Sequence, residues 1–291
     1  MAGCGYLGSR LVLQLERRGQ KCIALTLSGN SSETLTAENI RCDLSNPAEL
    51  EKLSRTLPQP LAIVHCASSS RGGPDAYRKV YLRGVENLVK HFPHSPLFFI
   101  GSTSVYAQND GSRVDEDCPA KPERESSQIL REAENITLAH QGTVLRLSGI
   151  YGPTRSFYLR SLLDHSARLE PADKPRYLNQ IHRDDAAAAI DHLLQQPSPV
   201  VGGQIYNVTD DHSPTQRECY QSLAAFLHRP SPPENLSVNK SKRSRKHRRI
   251  SNEKLKGTGW LAIYPSLLDA LKNDPSFIPS FIHSPTETKK S

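Results

Sequence analysis

Three glycines at the start of the chain constrain its fold more than any other feature. Residues 3–8 read G-C-G-Y-L-G, and they lead directly into a helical pattern over residues 9–18 and a strand pattern over 21–27. With this spacing, the first glycine allows a tight turn, the second lets a diphosphate approach the backbone, and the third lets the helix pack closely. The helix start adds free N–H groups and the positive end of its dipole. The pattern predicts a dinucleotide-binding loop formed by Gly3, Gly5, Tyr6, Leu7 and Gly8.

The strand that should precede this loop is missing from the pattern. Only Met1 and Ala2 come before Gly3, whereas a sheet of this kind places the preceding strand at its centre. We therefore expect a truncated first strand, in a chain that starts about five residues late. An in-frame apolar run encoded upstream of Met1 is the finding expected on this hypothesis.

Composition narrows the class of protein. The 291 residues contain no apolar run near the roughly 18 residues that span a bilayer, and no secretory signal pattern. The six cysteines show no C-x-x-C pair and no zinc spacing, which is typical of buried thiols in a reducing compartment. We expect a cytoplasmic protein that binds neither a membrane nor a metal.

Strand and helix patterns alternate through the first half of the chain. Apolar strand patterns at 40–44, 61–68 and 97–100 alternate with helical patterns at 47–57 and 75–92. This alternation predicts parallel βαβ units in a Rossmann-like, doubly wound α/β fold. Side chains at the carboxyl ends of such strands line the ligand crevice. The strand ends add these cofactor-binding candidates: Asp43, Leu44, Cys66, Ala67 and Ser68.

The loop after the second strand bears on the choice of nucleotide. Residues 26–32 read T-L-S-G-N-S-S. Because no carboxylate stands there to bind a ribose 2′-hydroxyl or repel a 2′-phosphate, the loop favours NADP. No arginine stands there either, so NAD and an ordinary polar loop remain as alternatives.

The ordered set of motifs resembles the extended short-chain dehydrogenase/reductases of the NAD(P)-dependent epimerase/dehydratase family. After the glycine loop come D-L at 43–44, S-T-S-V-Y at 102–106, V-L-R-L-S-G-I-Y-G-P at 144–153, H-R-D-D at 182–185 and a closing segment at 249–265. The resemblance extends to about residue 272. It implies an NAD(P)-binding domain at 1–152 and a smaller substrate-binding region at 153–273 that is interleaved with the main sheet. A disordered tail is expected at 274–291, and members of the family commonly form homodimers.

The chemistry implied by the resemblance is altered in this chain. Members of the family use a Tyr-x-x-x-Lys pair, in which the lysine lowers the phenol pKa so that the tyrosine can transfer a proton. The corresponding positions are Ser126 and Leu130, which cannot perform these roles. Ser102 matches the serine that orients the substrate and is the one catalytic candidate retained.

Other residues near these positions are weaker candidates for proton transfer. We interpret Tyr106 as a packing residue, and Arg131 should point away from the vacant lysine position because a helix turns about 100° per residue. His182 fits a turn before a helix. Asp184 or Asp185 is most simply the N-cap of that helix.

Basic residues suggest two further kinds of site. Arg155, Arg160, Arg176 and Arg183 either bind an anionic substrate or form a solvated basic face. Residues 240–249 contain seven Lys/Arg and no acid, which accounts for the whole net charge of +7. Because this segment has no aromatic residue for base stacking, we expect a solvated loop near the ligand cleft rather than a nucleic-acid site.

Two functions remain open from the sequence. One is an NAD(P)-dependent oxidoreductase or epimerase-like enzyme that acts on a small, polar, sugar-like substrate. The other is a non-catalytic NAD(P)-binding sensor or scaffold, which the loss of the tyrosine and lysine predicts.

Overall fold

A parallel sheet forms the centre of the protein. The computed structural model describes residues 1–69, 72–173, 175–235 and 247–282. The main strands are β1 (Ile23–Thr26), β2 (Glu38–Arg41), β3 (Ile63–His65), β4 (Leu97–Ser102), β6 (Thr143–Leu147) and β9 (Ile205–Val208). Strands β3, β4, β6 and β9 are neighbours in that order, and β1 pairs with β2. All of these pairings are parallel, which confirms the Rossmann-like, doubly wound fold class.

Ala2 occupies the place where a central strand was expected to be missing. It forms parallel bridges to Leu25 of β1 and to His65 of β3. Its N–H donates to the Val64 carbonyl oxygen at 2.8 Å, and its own carbonyl accepts from the Cys66 N–H at 2.7 Å. Ala2 thus forms an isolated bridge and no strand of several residues, which agrees with the expected truncated first strand, and through this residue β1 connects to β3 in one sheet.

Twelve α-helices and two short strand pairs complete the described part of the fold. The helices are α1 (Gly8–Arg17), α2 (Pro47–Thr56), α3 (Pro74–Tyr77), α4 (Arg83–His91), α5 (Glu125–Ala139), α6 (Phe157–Leu163), α7 (Arg183–Leu194), α8 (Ser198–Val201), α9 (Gln216–Phe226), α10 (Glu253–Lys256), α11 (Leu267–Asn273) and α12 (Phe277–Ile282). The short pairs are β5 (Arg113–Val114) with β10 (Arg249–Ile250), and β7 (Gly149–Tyr151) with β8 (Gln180–His182).

The helix expected at 75–92 contains a π turn, Arg78–Leu82, between α3 and α4. Nε2 of the buried His65 lies 3.0 Å from the carbonyl oxygen of Val80 within this turn. A Cβ on Gly84 would lie 2.9 Å from the same Nε2. A side chain that hydrogen-bonds into the helix ladder is a known cause of such irregularities.

The sheet separates two apolar cores. Successive strand residues point to opposite faces, so Phe99 packs in the core with Leu50 of α2 and Val85 of α4. Phe98 packs on the other face with Leu11 of α1 and with α7. Both faces are covered by helices, as a parallel sheet requires.

A third apolar cluster lies outside the sheet. It joins Tyr151, Leu159 of α6 and Leu223 of α9 to Phe277 and Phe281 of α12. Because Phe277 is fully buried, the expectation of a disordered tail is wrong for the part up to residue 282. Residues 283–291 lie outside the described residues, as do residues 240–246 of the basic segment.

Two further observations on the described residues concern membrane-spanning helices and the cysteines. No helix within it has both the length and the apolar character to cross a membrane. All six cysteines are unpaired.

Candidate functional site

The three glycines of the opening loop occupy different environments. Gly3 has a φ of +101°, and a Cβ placed on it would lie 2.3 Å from the backbone nitrogen of Ala67. A Cβ on Gly8 would lie 2.1 Å from the carbonyl oxygen of Gly3. In contrast, a Cβ on Gly5 would meet nothing within 4 Å. The protein itself therefore requires glycine at the first and third positions, and the second borders open space, which fits a loop that receives a diphosphate.

Tyr6 connects the glycine loop to the segment after β7. Its hydroxyl donates to the carbonyl oxygen of Pro153 at 2.9 Å. The guanidinium carbons of Arg183 and Arg155 lie 4.8 and 5.4 Å from the centre of its ring. Burial raises the pKa of Tyr6 to about 12, so the phenol is not a base near neutral pH.

The strand-end candidates are placed in two groups. Cys66 and Ala67 lie against the glycine loop, since a Cβ on Gly8 would be 3.7 Å from the Cys66 Cβ. Asp43 accepts a hydrogen bond from Ser45 Oγ at 2.7 Å and forms an ion pair with Lys79 at 2.9 Å. Of the remaining candidates, Leu7 and Leu44 are buried and Ser68 is exposed.

Arg41 lies beside the loop after β1, which contains no cationic residue of its own. It pairs in register with Thr26, the last residue of β1. A Cβ on Gly29 of that loop would lie 3.5 Å from the Arg41 Cβ, and Arg41 is exposed. The residue was missed because it belongs to the neighbouring strand, and only the strand pairing brings it beside the loop.

The positions of the family's tyrosine and lysine lie on α5. Ser126 is partly exposed in the first turn. Leu130 is buried in the core that contains Val85 and Phe99. An apolar side chain therefore packs in the core at the position that the resemblance assigns to a lysine.

Ser102 caps the short turn that follows β4. Its Oγ accepts from the Ser104 N–H at 3.2 Å and so caps the 3-10 turn Thr103–Val105. Ser127 Oγ donates to Ser104 Oγ at 3.2 Å. The sequence did not indicate the roles of Ser104 and Ser127.

The side chains of Tyr106 and Arg131 both form hydrogen bonds within the protein. The Tyr106 hydroxyl donates to Asn207 Oδ1 at 2.9 Å and accepts from Arg146 Nη1 at 2.8 Å. Arg131 donates to Glu134 Oε2 at 2.8 Å. Neither group is placed to replace the missing pair.

The start of α7 differs from the expectation in one respect. His182 is the N-cap, because its Nδ1 accepts from the Asp184 N–H at 3.2 Å. Burial lowers the pKa of His182 to about 4, so it is neutral at pH 7.

The expectation that Asp184 or Asp185 is the N-cap is therefore wrong. Asp184 instead accepts from Arg10 Nε at 2.8 Å and Nη2 at 2.6 Å. Asp185 accepts the backbone N–H groups of Ile263 at 2.6 Å and Tyr264 at 3.0 Å. Both carboxylates connect α7 to other parts of the chain.

A cavity of about 330 Å³ lies at the carboxyl ends of β4 and β6. Its walls include Ser102, Ser148, Tyr158, Arg176, Tyr177 and Arg248. The hydroxyl of Ser148 is buried and has no hydrogen-bond partner within the described ranges. The cavity is thus lined by aromatic residues, by residues with hydroxyl groups that include Ser102, and by two arginines.

Of the four arginines proposed for an anionic substrate, Arg176 alone lines this cavity. It forms an ion pair with Glu170 at 2.8 Å. The Arg160 guanidinium carbon lies 4.9 Å from the Phe281 ring centre, and Arg160 is not among the residues that line the cavity. The other two arginines pack on Tyr6. Arg248 belongs to the segment expected to be solvated, yet it is 3% exposed. For this residue the expectation is wrong.

Comparisons with known proteins agree with the fold. A sequence model described as the NAD dependent epimerase/dehydratase family matches residues 2–209. No curated protein sequence matches the chain.

Many solved structures are similar over nearly their full length. One is a putative NAD-dependent epimerase/dehydratase from Methylobacillus flagellatus, with 27% identity, a TM-score of 0.75, and 93% of this chain and 94% of that chain covered. A second is the UDP-glucose 4-epimerase of Thermus thermophilus in complex with NAD, at 18% identity, a TM-score of 0.77 and 97% coverage of both chains. A third is the dTDP-glucose 4,6-dehydratase of Bacillus anthracis in complex with NAD, at 22% identity, a TM-score of 0.74, and 95% and 97% coverage.

Proposed function

Because the chain belongs to the NAD dependent epimerase/dehydratase family, we propose that it binds a nicotinamide dinucleotide at the glycine loop and a small polar ligand in the adjoining cavity. The open space at Gly5, between two glycines that the protein itself requires, carries this proposal. The backbone N–H groups at the start of α1 would hold the diphosphate. Cys66 and Ala67 would leave room for the nucleotide beside the loop.

The site favours a binding function without the family's usual proton transfer. Leu130 lies in the core where that mechanism needs a cation. Burial raises the pKa of Tyr158 to about 12 and that of Tyr151 well above its usual value, so neither of these two phenols of the cavity wall is an effective base. A sensor or scaffold that holds the dinucleotide without turnover agrees with these observations.

An oxidoreductase or epimerase-like enzyme is the second candidate. It is favoured by Ser102 and Ser148, whose hydroxyl groups line the same cavity. The dinucleotide, when bound, would supply or accept a hydride. Ser102 would orient a substrate hydroxyl group by hydrogen bonding.

We also propose that NADP is preferred to NAD. The support is the position of Arg41 beside the loop after β1, where a guanidinium could bind a 2′-phosphate. We also propose a cytoplasmic location, because the cysteine pattern is typical of a reducing compartment. A homodimer is proposed because members of the family commonly form one.

Nucleotide binding is tested by following the fluorescence of NADPH and NADH during titration of the protein. Gly5→Ala should weaken NADPH binding at least tenfold, because its methyl group would enter the space left for the diphosphate. Gly73→Ala is the matched control, since a Cβ there also meets nothing within 4 Å, and it should bind like the wild type. Both variants should keep the wild-type melting temperature. Absence of wild-type affinity for both nucleotides at millimolar concentration would refute the proposal.

Two further measurements separate the finer alternatives. Arg41→Ala should weaken NADPH binding about tenfold and leave NADH binding unchanged, because only NADPH carries the 2′-phosphate. Turnover of NADP⁺ or NADPH with candidate sugars, lost in Ser102→Ala, would establish the enzyme and exclude the sensor.

A further inference from the structure

The cavity beside Ser102 contains a buried cation whose charge no carboxylate of the described residues neutralises. The Arg248 side chain donates from Nη1 to the carbonyl oxygen of Gln108 at 3.2 Å and from Nη2 to that of Thr103 at 2.8 Å. Both acceptors are neutral, so they fix the position of the guanidinium without cancelling its charge. Each terminal nitrogen carries a second N–H for a further partner.

Burial of the Arg248 charge is energetically unfavourable unless an opposite charge compensates it. A buried charge is normally paired, because its transfer from water to the interior is unfavourable. Burial lowers the pKa of Arg248, as expected for a cation without a counterion. Arg176, in the same cavity, is already paired with Glu170. Among the described residues that line the cavity, Arg248 is therefore the cation without a carboxylate partner.

The cation has a defined position relative to the retained catalytic candidate. Its Nη2 is bonded to Thr103, the residue that follows Ser102. Ser148, whose buried hydroxyl lacks a partner within the described ranges, lines the same cavity. An anionic group bound by Arg248 would lie close to a hydroxyl group bound by Ser102.

We propose that the cavity binds a small hydroxy acid or sugar acid, with its carboxylate on Arg248 and a neighbouring hydroxyl group at Ser102. The planar guanidinium fork matches a carboxylate and can bind both of its oxygens. A cavity of about 330 Å³ is large enough for a ligand of this size. The inference rests on the function proposed above for the position of the reacting carbon, but the acid itself can be tested separately.

The test is calorimetric titration of the full chain with D-glucuronate, D-gluconate and D-glucose, each with and without NADP⁺. We expect at least one of the two acids to bind ten times or more as tightly as glucose. Arg248→Gln should reduce this preference to less than twofold. Arg160→Gln is the matched control, because it removes the same charge from an arginine outside the cavity, and it should keep the full preference.

Other arms of the experiment identify the source of the anion and guard against misfolding. D-glucose 6-phosphate should bind less tightly than the better acid, and tighter binding of the phosphate would overturn the assignment to carboxylates. If Arg248→Gln fails to fold, Arg248→Lys should fold and show a reduced preference, since an ammonium keeps the charge but not the fork.

The inference is overturned if neither acid binds more tightly than glucose, or if the preference survives in Arg248→Gln. Loss of nucleotide binding alone would refute only the proposed function, because the preference for acids can still be measured without NADP⁺.

Discussion

Two buried arginines of this protein have opposite surroundings. Arg146 on β6 donates from Nε and Nη2 to the two carboxylate oxygens of Glu134, at 3.0 and 2.8 Å. Although burial works to lower it, the pKa of Arg146 is raised, because Glu134 stabilises the charged form. Arg248 is equally buried, yet its bonds go to neutral carbonyl groups and its pKa is lowered. The first arginine is satisfied by the protein itself, whereas the second is complete only with a bound anion.

The largest expected effect concerns the paired arginine. Glu134→Ala should lower the free energy of unfolding by about 3–5 kcal/mol, because it leaves a buried guanidinium without its carboxylate. Urea denaturation followed by circular dichroism measures the change. A loss below about 1 kcal/mol would show that Arg146 does not need its partner, and the contrast with Arg248 would disappear.

A smaller effect is expected at Asp210, which is a buried acidic residue as Arg248 is a buried basic one. This carboxyl group is buried, its Oδ1 has no hydrogen-bond partner within the described ranges, and burial raises its pKa well above the usual value. Asp210→Asn should therefore raise the free energy of unfolding at pH 7 by about 1 kcal/mol.

The same residue predicts a dependence of stability on pH. Because the folded state holds the Asp210 proton more tightly than the unfolded state, the protein should lose stability as pH rises from the usual carboxyl range, near the reference value of 3.8, towards the raised pKa. In Asp210→Asn this part of the loss should be absent. Melting curves between pH 4 and pH 8 would contradict the assignment if the two proteins showed the same slope.

The smallest effect on stability is expected at Arg248. Arg248→Met should change the free energy of unfolding by less than about 1 kcal/mol, because removal of an unpaired charge offsets the loss of two hydrogen bonds to carbonyl groups. Arg146→Met, measured in the same way, should cost several times more. Equal losses in the two variants would mean that Arg248 also has a structural role, and that the cavity does not depend on a ligand for its charge balance.

The sequence was sufficient for the features that depend on local pattern. The alternation of strands and helices and the glycine spacing are set by residues that are close in the chain, and the structure has the corresponding fold. The surroundings of Arg248 depend instead on the pairing of Arg249–Ile250 with Arg113–Val114. Local charge density suggested a solvated segment, but this distant pairing brings the residue into the interior.

The start of α7 shows the same limit on a smaller scale. Two aspartates before an alanine-rich helix suggested a carboxylate cap. Distant partners use both carboxylates instead, Arg10 in one case and the backbone of residues 263–264 in the other. His182 then provides the cap. Which of several suitable side chains fills a local role is decided by contacts that a local pattern does not contain.

The side chain of Tyr6 connects the glycine loop to the segment that leads into the cavity wall. Its hydroxyl is bonded to the carbonyl group of Pro153, four residues before Phe157, which belongs to the cavity wall. A shift of the opening loop on nucleotide binding would be passed through the Tyr6 ring towards α6. Each ligand should then change the affinity for the other by the same factor, whichever of the two binds first.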